Sequence, residues 1–150
     1  MRRIFILAVL IVPLSLAFGC KGTTGEKEVA NKQDSSVMEQ GTIATGQNEY
    51  VKYCLTCHQP DGNGVRSQFP PLAGNVLVTG PADTLIRIVL SGLEGPITVM
   101  GQQYGTQIMP AQNYLTDQQI ADVLSYIRNT WGNKADAVNA EEVKKIRGER

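Results

Sequence analysis

The chain has 150 residues, enough for one domain of ordinary size or a smaller one with appendages. Its 14 Lys and Arg balance 14 Asp and Glu, which argues against a nucleic-acid binder working through a dense basic face. Three cysteines are too few for a disulfide scaffold, and a single histidine, His58, excludes any site that needs two.

Met1-Arg2-Arg3 precedes an uncharged, largely apolar run from Ile4 to Phe18, interrupted by Pro13 and closed by Gly19-Cys20. A basic start, a short apolar core and small residues at its end make residues 1–19 a secretory signal, so the protein is expected to be exported. Leu16-Ala17-Phe18-Gly19-Cys20 resembles a bacterial lipobox, which implies lipidation of Cys20 and a hold on the membrane surface without a spanning helix; the alternatives are an ordinary signal peptide whose cleavage leaves a lone thiol, or an uncleaved anchor. Ala17 and bulky Phe18 depart from its commonest form. From Cys20 to residue 45 the chain is polar without a sustained apolar period, and reads as a flexible tether.

Three main helices follow. Residues 46–58 place Tyr50, Cys54, Cys57 and His58 on one helical face. Residues 81–91 begin at Pro81, carry Leu85, Ile86, Val89 and Leu90, and stop at Gly92. The third runs from Asp117 to about Trp131. Thr116 and Gln119 form its capping box, Ile120, Val123, Leu124, Ile127 and Trp131 its apolar stripe, and Gly132 its end. Two long loops, 59–80 and 92–115, separate the helices and show no long alternating strand pattern. Such loops are uncommon in a compact domain unless they have a task. Residues 134–150 form an extension with a short capped helix carrying Val143 and Ile146.

Cys54-Leu55-Thr56-Cys57-His58 is a CxxCH sequence, the attachment signature of c-type haem. Thiols at i and i+3 can form thioethers with the two haem vinyl groups, and the adjacent His58 can then meet the iron. A structural zinc would need a fourth ligand, and only the distant Cys20 remains. A thioredoxin-like dithiol would need a βαβ setting that this sequence lacks. The second axial ligand must come from a residue other than histidine. Thioether sulfur suits haem iron, and Met100 and Met109 occupy the same loop; Met109, followed by Pro110 and close to the third helix, is modestly preferred.

Residues 46–133 resemble a class I monohaem cytochrome c. Gly46, Tyr50 and Cys54 keep that family's spacing on the first helix, while Val123 and Tyr126 match the terminal-helix positions that pack on the glycine and aromatic. The resemblance implies an all-α small cytochrome c fold, with three main helices and long loops around one covalently bound haem c. It also implies that Met109 is the axial methionine. Phe69-Pro70-Pro71-Leu72-Ala73-Gly74 resembles the loop whose proline carbonyl accepts the second N–H of His58, with Pro70 ahead of Pro71. Segments 95–99, 109–111, 126–133 and 142–147 resemble a bacterial subgroup found as small carriers and as domains attached to copper nitrite reductases or dehydrogenases.

The function so implied is one-electron transfer between exported or membrane redox partners: a cytochrome complex, an oxidase, a copper nitrite reductase or a dehydrogenase. The protein would be a carrier, or a haem subunit of a larger oxidoreductase, rather than a catalyst. The competing reading is a haem peroxidase or gas sensor with a displaceable Met ligand. That chemistry wants a distal acid–base group, usually histidine, and none remains after His58. Residues 46–132 carry four basic groups (Lys52, Arg66, Arg87, Arg128) against six acidic, so no lysine ring for electrostatic docking is expected. Gln102, Gln103, Gln107 and Gln112 are expected as an uncharged rim around an apolar contact.

Overall fold

The computed structural model describes residues 35–150, with side chains from residue 43 onward. The signal segment, Cys20 and the first part of the tether lie outside the described residues. The elements are α1 (Ser35–Tyr53), α2 (Leu55–His58), α3 (Val76–Thr79), α4 (Ala82–Ser91), β1 (Ile97–Val99), β2 (Gln102–Tyr104), α5 (Asp117–Arg128) and α6 (Ala140–Gly148).

Helix α1 starts eleven residues before Gly46, so the stretch 35–45 assigned to the flexible tether is helical. No proline interrupts it, and once a helix is nucleated further turns add at little cost. Ile43 packs against the core, which extends the docked part of α1 beyond the expected start.

Gly46 sets how α1 crosses α5. A Cβ at this position would lie 2.1 Å from the Asp122 carbonyl oxygen and 2.7 Å from Tyr126 Cβ, so only glycine lets the two backbones approach this closely. One turn later Tyr50 is fully buried, its ring 5.6 Å from Tyr126 and 5.1 Å from Trp131 between centroids. Tilted and edge-on arrangements of this kind suit aromatic quadrupoles.

The capping box of α5 forms as its sequence dictates: Gln119 N–H donates to Thr116 Oγ1 at 3.2 Å, and Thr116 N–H donates to Gln119 Oε1 at 3.0 Å. The helix ends at Arg128, capped by Asn129, rather than running to Trp131. Trp131 has a positive φ of 55° that takes it off the helical stripe, and its indole N–H donates to the Pro60 carbonyl at 3.1 Å. The tryptophan thus ties the end of α5 to the loop after α2. Buried Asn133 makes a second tie, accepting from Gly74 N–H at 2.9 Å and donating to the carbonyls of Leu72 and Ile127.

The boundary expected at residue 133 is not a boundary in packing. Val138, Val143 and Ile146 are buried in the common core, and Ser125 Oγ both donates to the Val138 carbonyl and accepts from its N–H. Arg147 reaches Asp117 and the carbonyls of Asn113 and Leu115, so α6 straps the start of α5. Individually polar ends of the strap stay wet while its apolar stripe closes the core, which is why a short segment can dock without a domain of its own.

The small hairpin β1–β2 was not expected from the sequence. Ile97, Thr98 and Val99 pair antiparallel with Tyr104, Gln103 and Gln102. Its two-residue turn is Met100-Gly101, both at positive φ (49° and 77°), as a tight primed turn requires. Met100 is therefore held at a loop tip, 71 % exposed.

Candidate haem site

Helix α1 does not run straight through the CxxCH sequence. It yields at Cys54 to the single turn of α2, and the hydrogen bonds Cys54 N–H to Tyr50 O and His58 N–H to Cys54 O, both 2.9 Å, keep the turns in register. Gln59 then takes a positive φ of 62°, and its carbonyl accepts the Tyr50 hydroxyl at 2.6 Å. The tyrosine that anchors α1 on α5 thereby also fixes the exit from the motif. Cys54 and Cys57 are both free and half-buried. Burial pushes the Cys54 thiol up to about 12, with the neighbouring Cys57 and Glu49 adding to the rise, so it is no activated thiolate of the dithiol-redox kind.

His58 is nine-tenths buried. Its Nδ1 lies 3.0 Å from the Pro70 carbonyl oxygen. A carbonyl can only accept, so Nδ1 carries the proton and Nε2 keeps its lone pair, the tautomer a metal-binding imidazole needs. Burial lowers the His58 pKa from the ordinary imidazole value, partly offset by the Pro70 bond, and so favours the neutral form. The carbonyl of Pro71 is otherwise engaged, accepting from Asn75 Nδ2 at 2.8 Å. The loop that presents Pro70 is closed by reciprocal bonds between Val65 and Phe69 at 2.9 and 2.8 Å.

Met109 is held by an isolated bridge to Leu93, with each N–H donating to the other's carbonyl at 3.0 Å. Gly92, at φ 76°, leaves room for that bridge: a Cβ there would sit 2.5 Å from the Met109 carbonyl oxygen. Two adjoining cavities of about 740 and 800 Å³ are both lined by Cys54, His58, Pro70 and Met109. Met100 lines neither, so of the two methionines that share this loop only Met109 reaches the CxxCH motif.

The inner cavity is walled by aliphatic side chains of α4 and α5, among them Leu85, Val89, Val123, Leu124 and Ile127, and by Ile97 and Val99 of β1. No Asp, Glu, Lys or Arg lines either cavity. A flat apolar macrocycle tethered at Cys54 and Cys57 fits such a space: thiols for the vinyl groups, an oriented imidazole, a thioether, and hydrocarbon for the ring. Among the described residues, no three His, Cys, Asp or Glu side chains are grouped to hold a metal ion, as structural zinc would require.

Several residues counted as surface charge in the sequence prove otherwise. Glu49, Asp122 and Arg128 are buried. Arg128 spends its guanidinium on three backbone carbonyls, those of Asp136, Val78 and Gly80, and so joins the strap to α3. Gln112, expected on the rim, is buried and donates to the Pro110 carbonyl while accepting from Tyr114, whereas Gln103 and Gln107 are exposed. Sequence reasoning also missed Leu93 and Tyr104; their parts depend on a bridge and a hairpin too short to leave a periodic signal.

Fold and site together define a small haem-binding domain, and a cytochrome c family model matches residues 43–131. The chain belongs to the cytochrome c family, whose cofactor is covalently bound haem c. It is 38 % identical over 122 residues to cytochrome c-552 of Thermus thermophilus, covering 73 % of this chain and 82 % of that protein. It is 40 % identical over 118 residues to the cytochrome c subunit of a quinone alcohol dehydrogenase from Gluconacetobacter polyoxogenes. It is 38 % identical over 107 residues to the cytochrome c subunit of gluconate 2-dehydrogenase from Pantoea cypripedii. Those matches cover 75 % and 69 % of this chain but only 25 % and 24 % of the two dehydrogenase subunits, so the chain spans about a quarter of their length.

Proposed function

We propose that the protein is a single-electron carrier whose haem iron is held by His58 and Met109, with Cys54 and Cys57 as the covalent attachment points and Pro70 orienting His58. The observation that carries this reading is that one apolar cavity is lined together by Cys54, His58, Pro70 and Met109. Haem c, when bound, supplies a one-electron couple between ferrous and ferric iron, and a His/Met pair raises its potential. The protein's part is to keep both donors still. His58 is fixed by the Pro70 carbonyl and Met109 by its paired backbone bonds to Leu93, so neither side chain needs to move when charge changes.

A peroxidase or sensor is less well supported, because no second histidine and no Asp, Glu, Lys or Arg lines the two cavities besides His58 itself. Such a group typically contributes about 10²–10⁴-fold to the rate. Wild-type protein is therefore expected to turn over hydrogen peroxide at least about 100-fold more slowly than a dedicated haem peroxidase assayed alongside. Turnover at a comparable rate would favour the alternative.

The partners are redox proteins, one class being dehydrogenases such as those whose cytochrome c subunits are named above. No helix among the described residues is long and apolar enough to cross a membrane. Anchoring instead belongs to Cys20, through a lipid that would keep the exported haem domain beside membrane partners. Labelled palmitate should enter the wild type and be absent from Cys20→Ser; equal labelling of both would refute the anchor.

A further inference from the structure

Haem carries two propionate side chains, ionised at neutral pH, yet the two cavities that hold the donor set offer no cation. Burying a carboxylate beside apolar walls without a partner is costly, so its charge must leave by a side that provides one. A third, more open cavity of about 730 Å³ adjoins the other two and is lined by Arg66, Pro71, Val99, Gln102 and Tyr104. Val99 also lines the inner cavity and Tyr104 the outer one, which makes these two residues of the hairpin the partition between the spaces. No other Lys or Arg lines any of the three.

Two polar groups there have nothing to do within the fold. Arg66 is exposed and makes no hydrogen bond or ion pair among the described residues. Tyr104 is only 8 % exposed, and its hydroxyl, which has no hydrogen-bond partner among them, belongs to the part that remains open to solvent. The two are also held side by side: Thr106 Oγ1 donates to the Ser67 carbonyl at 3.2 Å, fastening the Arg66 loop to the strand end that carries Tyr104.

We infer that Arg66 and Tyr104 form the carboxylate-binding corner of the haem site, the guanidinium and the phenol O–H both donating to one haem propionate. This rests on the haem reading above. Arg suits the task because its planar fork pairs with a carboxylate as a charge-assisted donor, and Tyr104 supplies a donor from the apolar side. A cation close to the porphyrin also disfavours the ferric state, so Arg66 raises the reduction potential.

The test compares wild type, Arg66→Gln, Arg66→Lys and Tyr104→Phe, each matured with haem in the same way. Covalent haem content and the Met–iron charge-transfer band are read first, and should be unchanged because neither residue is a proposed ligand or attachment point. Resonance Raman should then show the propionate bending band displaced in Arg66→Gln and in Tyr104→Phe, with partial return in Arg66→Lys. At a solution potential fixed at the wild-type midpoint, Arg66→Gln should show a ferrous-to-ferric ratio lower by roughly two- to fivefold, the effect of one nearby charge at high effective dielectric. A wild-type band and ratio in Arg66→Gln, with haem fully attached, would overturn the proposal. It would equally fail if Arg66→Gln altered only the salt dependence of the reaction with a redox partner, since Arg66 would then be a docking charge. Lack of covalent haem in the wild type would overturn the haem reading itself, and this inference with it.

Discussion

Met109→Ala should leave haem covalently attached while removing the Met–iron charge-transfer band and lowering the reduction potential, by roughly 0.1–0.3 V within the ~0.8 V range that axial ligands command. Attachment depends on Cys54 and Cys57, which the substitution does not touch. The loss is specific because the side chain alone is removed: the backbone bridge between Met109 and Leu93 uses N–H and carbonyl groups that alanine retains. Met100→Ala is the matched control. Met100 sits at the exposed turn of the hairpin and lines neither cavity around His58, so its removal should leave band and potential as they are. The near-infrared spectrum of the ferric protein and a potentiometric titration read both effects. A persistent band in Met109→Ala would move the ligand elsewhere.

Gly46→Ala should be among the most destabilising single-methyl additions in the described chain, costing on the order of 3 kcal/mol or more by the usual scale of overpacking in a close-packed core. Intrinsic propensity points the other way, since alanine in a helix interior is favoured over glycine by about 1 kcal/mol. Contact decides the sign. The added Cβ would fall 2.1 Å from the Asp122 carbonyl oxygen, a backbone atom within α5 that no side-chain rotation can clear. Relief requires α1 and α5 to separate, which loosens the packing of Tyr50 on Tyr126 and Trp131 and with it the register of the CxxCH turn. Gly148→Ala, at the end of α6 where a Cβ meets nothing within 4 Å, should be neutral or slightly stabilising. Denaturant unfolding of the holoproteins, followed by far-ultraviolet circular dichroism, checks the contrast; equal midpoints for Gly46→Ala and wild type would refute this account of the crossing.

Much of this architecture is written in local signals that tertiary structure does not override. Thr116 with Gln119, and Asn139 with Glu142, form capping boxes at the starts of α5 and α6, because both partners lie within one turn. The CxxCH residues and the pairing of Gly46 and Tyr50 with α5 are legible for a similar reason, being fixed spacings on helices. What sequence leaves undetermined depends on distant partners. Arg128, Glu49 and Asp122 carry the marks of surface residues, yet each is buried where carbonyls, Lys52 or glutamine side chains can satisfy it. Trp131 continues a helical stripe on paper, but its bond to Pro60 draws it out of the helix. Three-residue strands and a four-residue α3 are too short for periodicity to reveal. The choice between Met100 and Met109 likewise turns on the Met100-Gly101 turn, which projects one methionine outward while the Leu93 bridge sets the other at the cavity.

These features support the proposal that His58 and Met109 would hold a haem iron still, with no second histidine or carboxylate lining the cavities beside them. The most direct test is an optically monitored redox titration of the haem-loaded full chain. The account predicts one reversible one-electron transition, with low-spin six-coordinate spectra in both oxidation states and the Met–iron band present in the ferric form. A high-spin ferric spectrum, or a ligand change accompanying the transition, would contradict it.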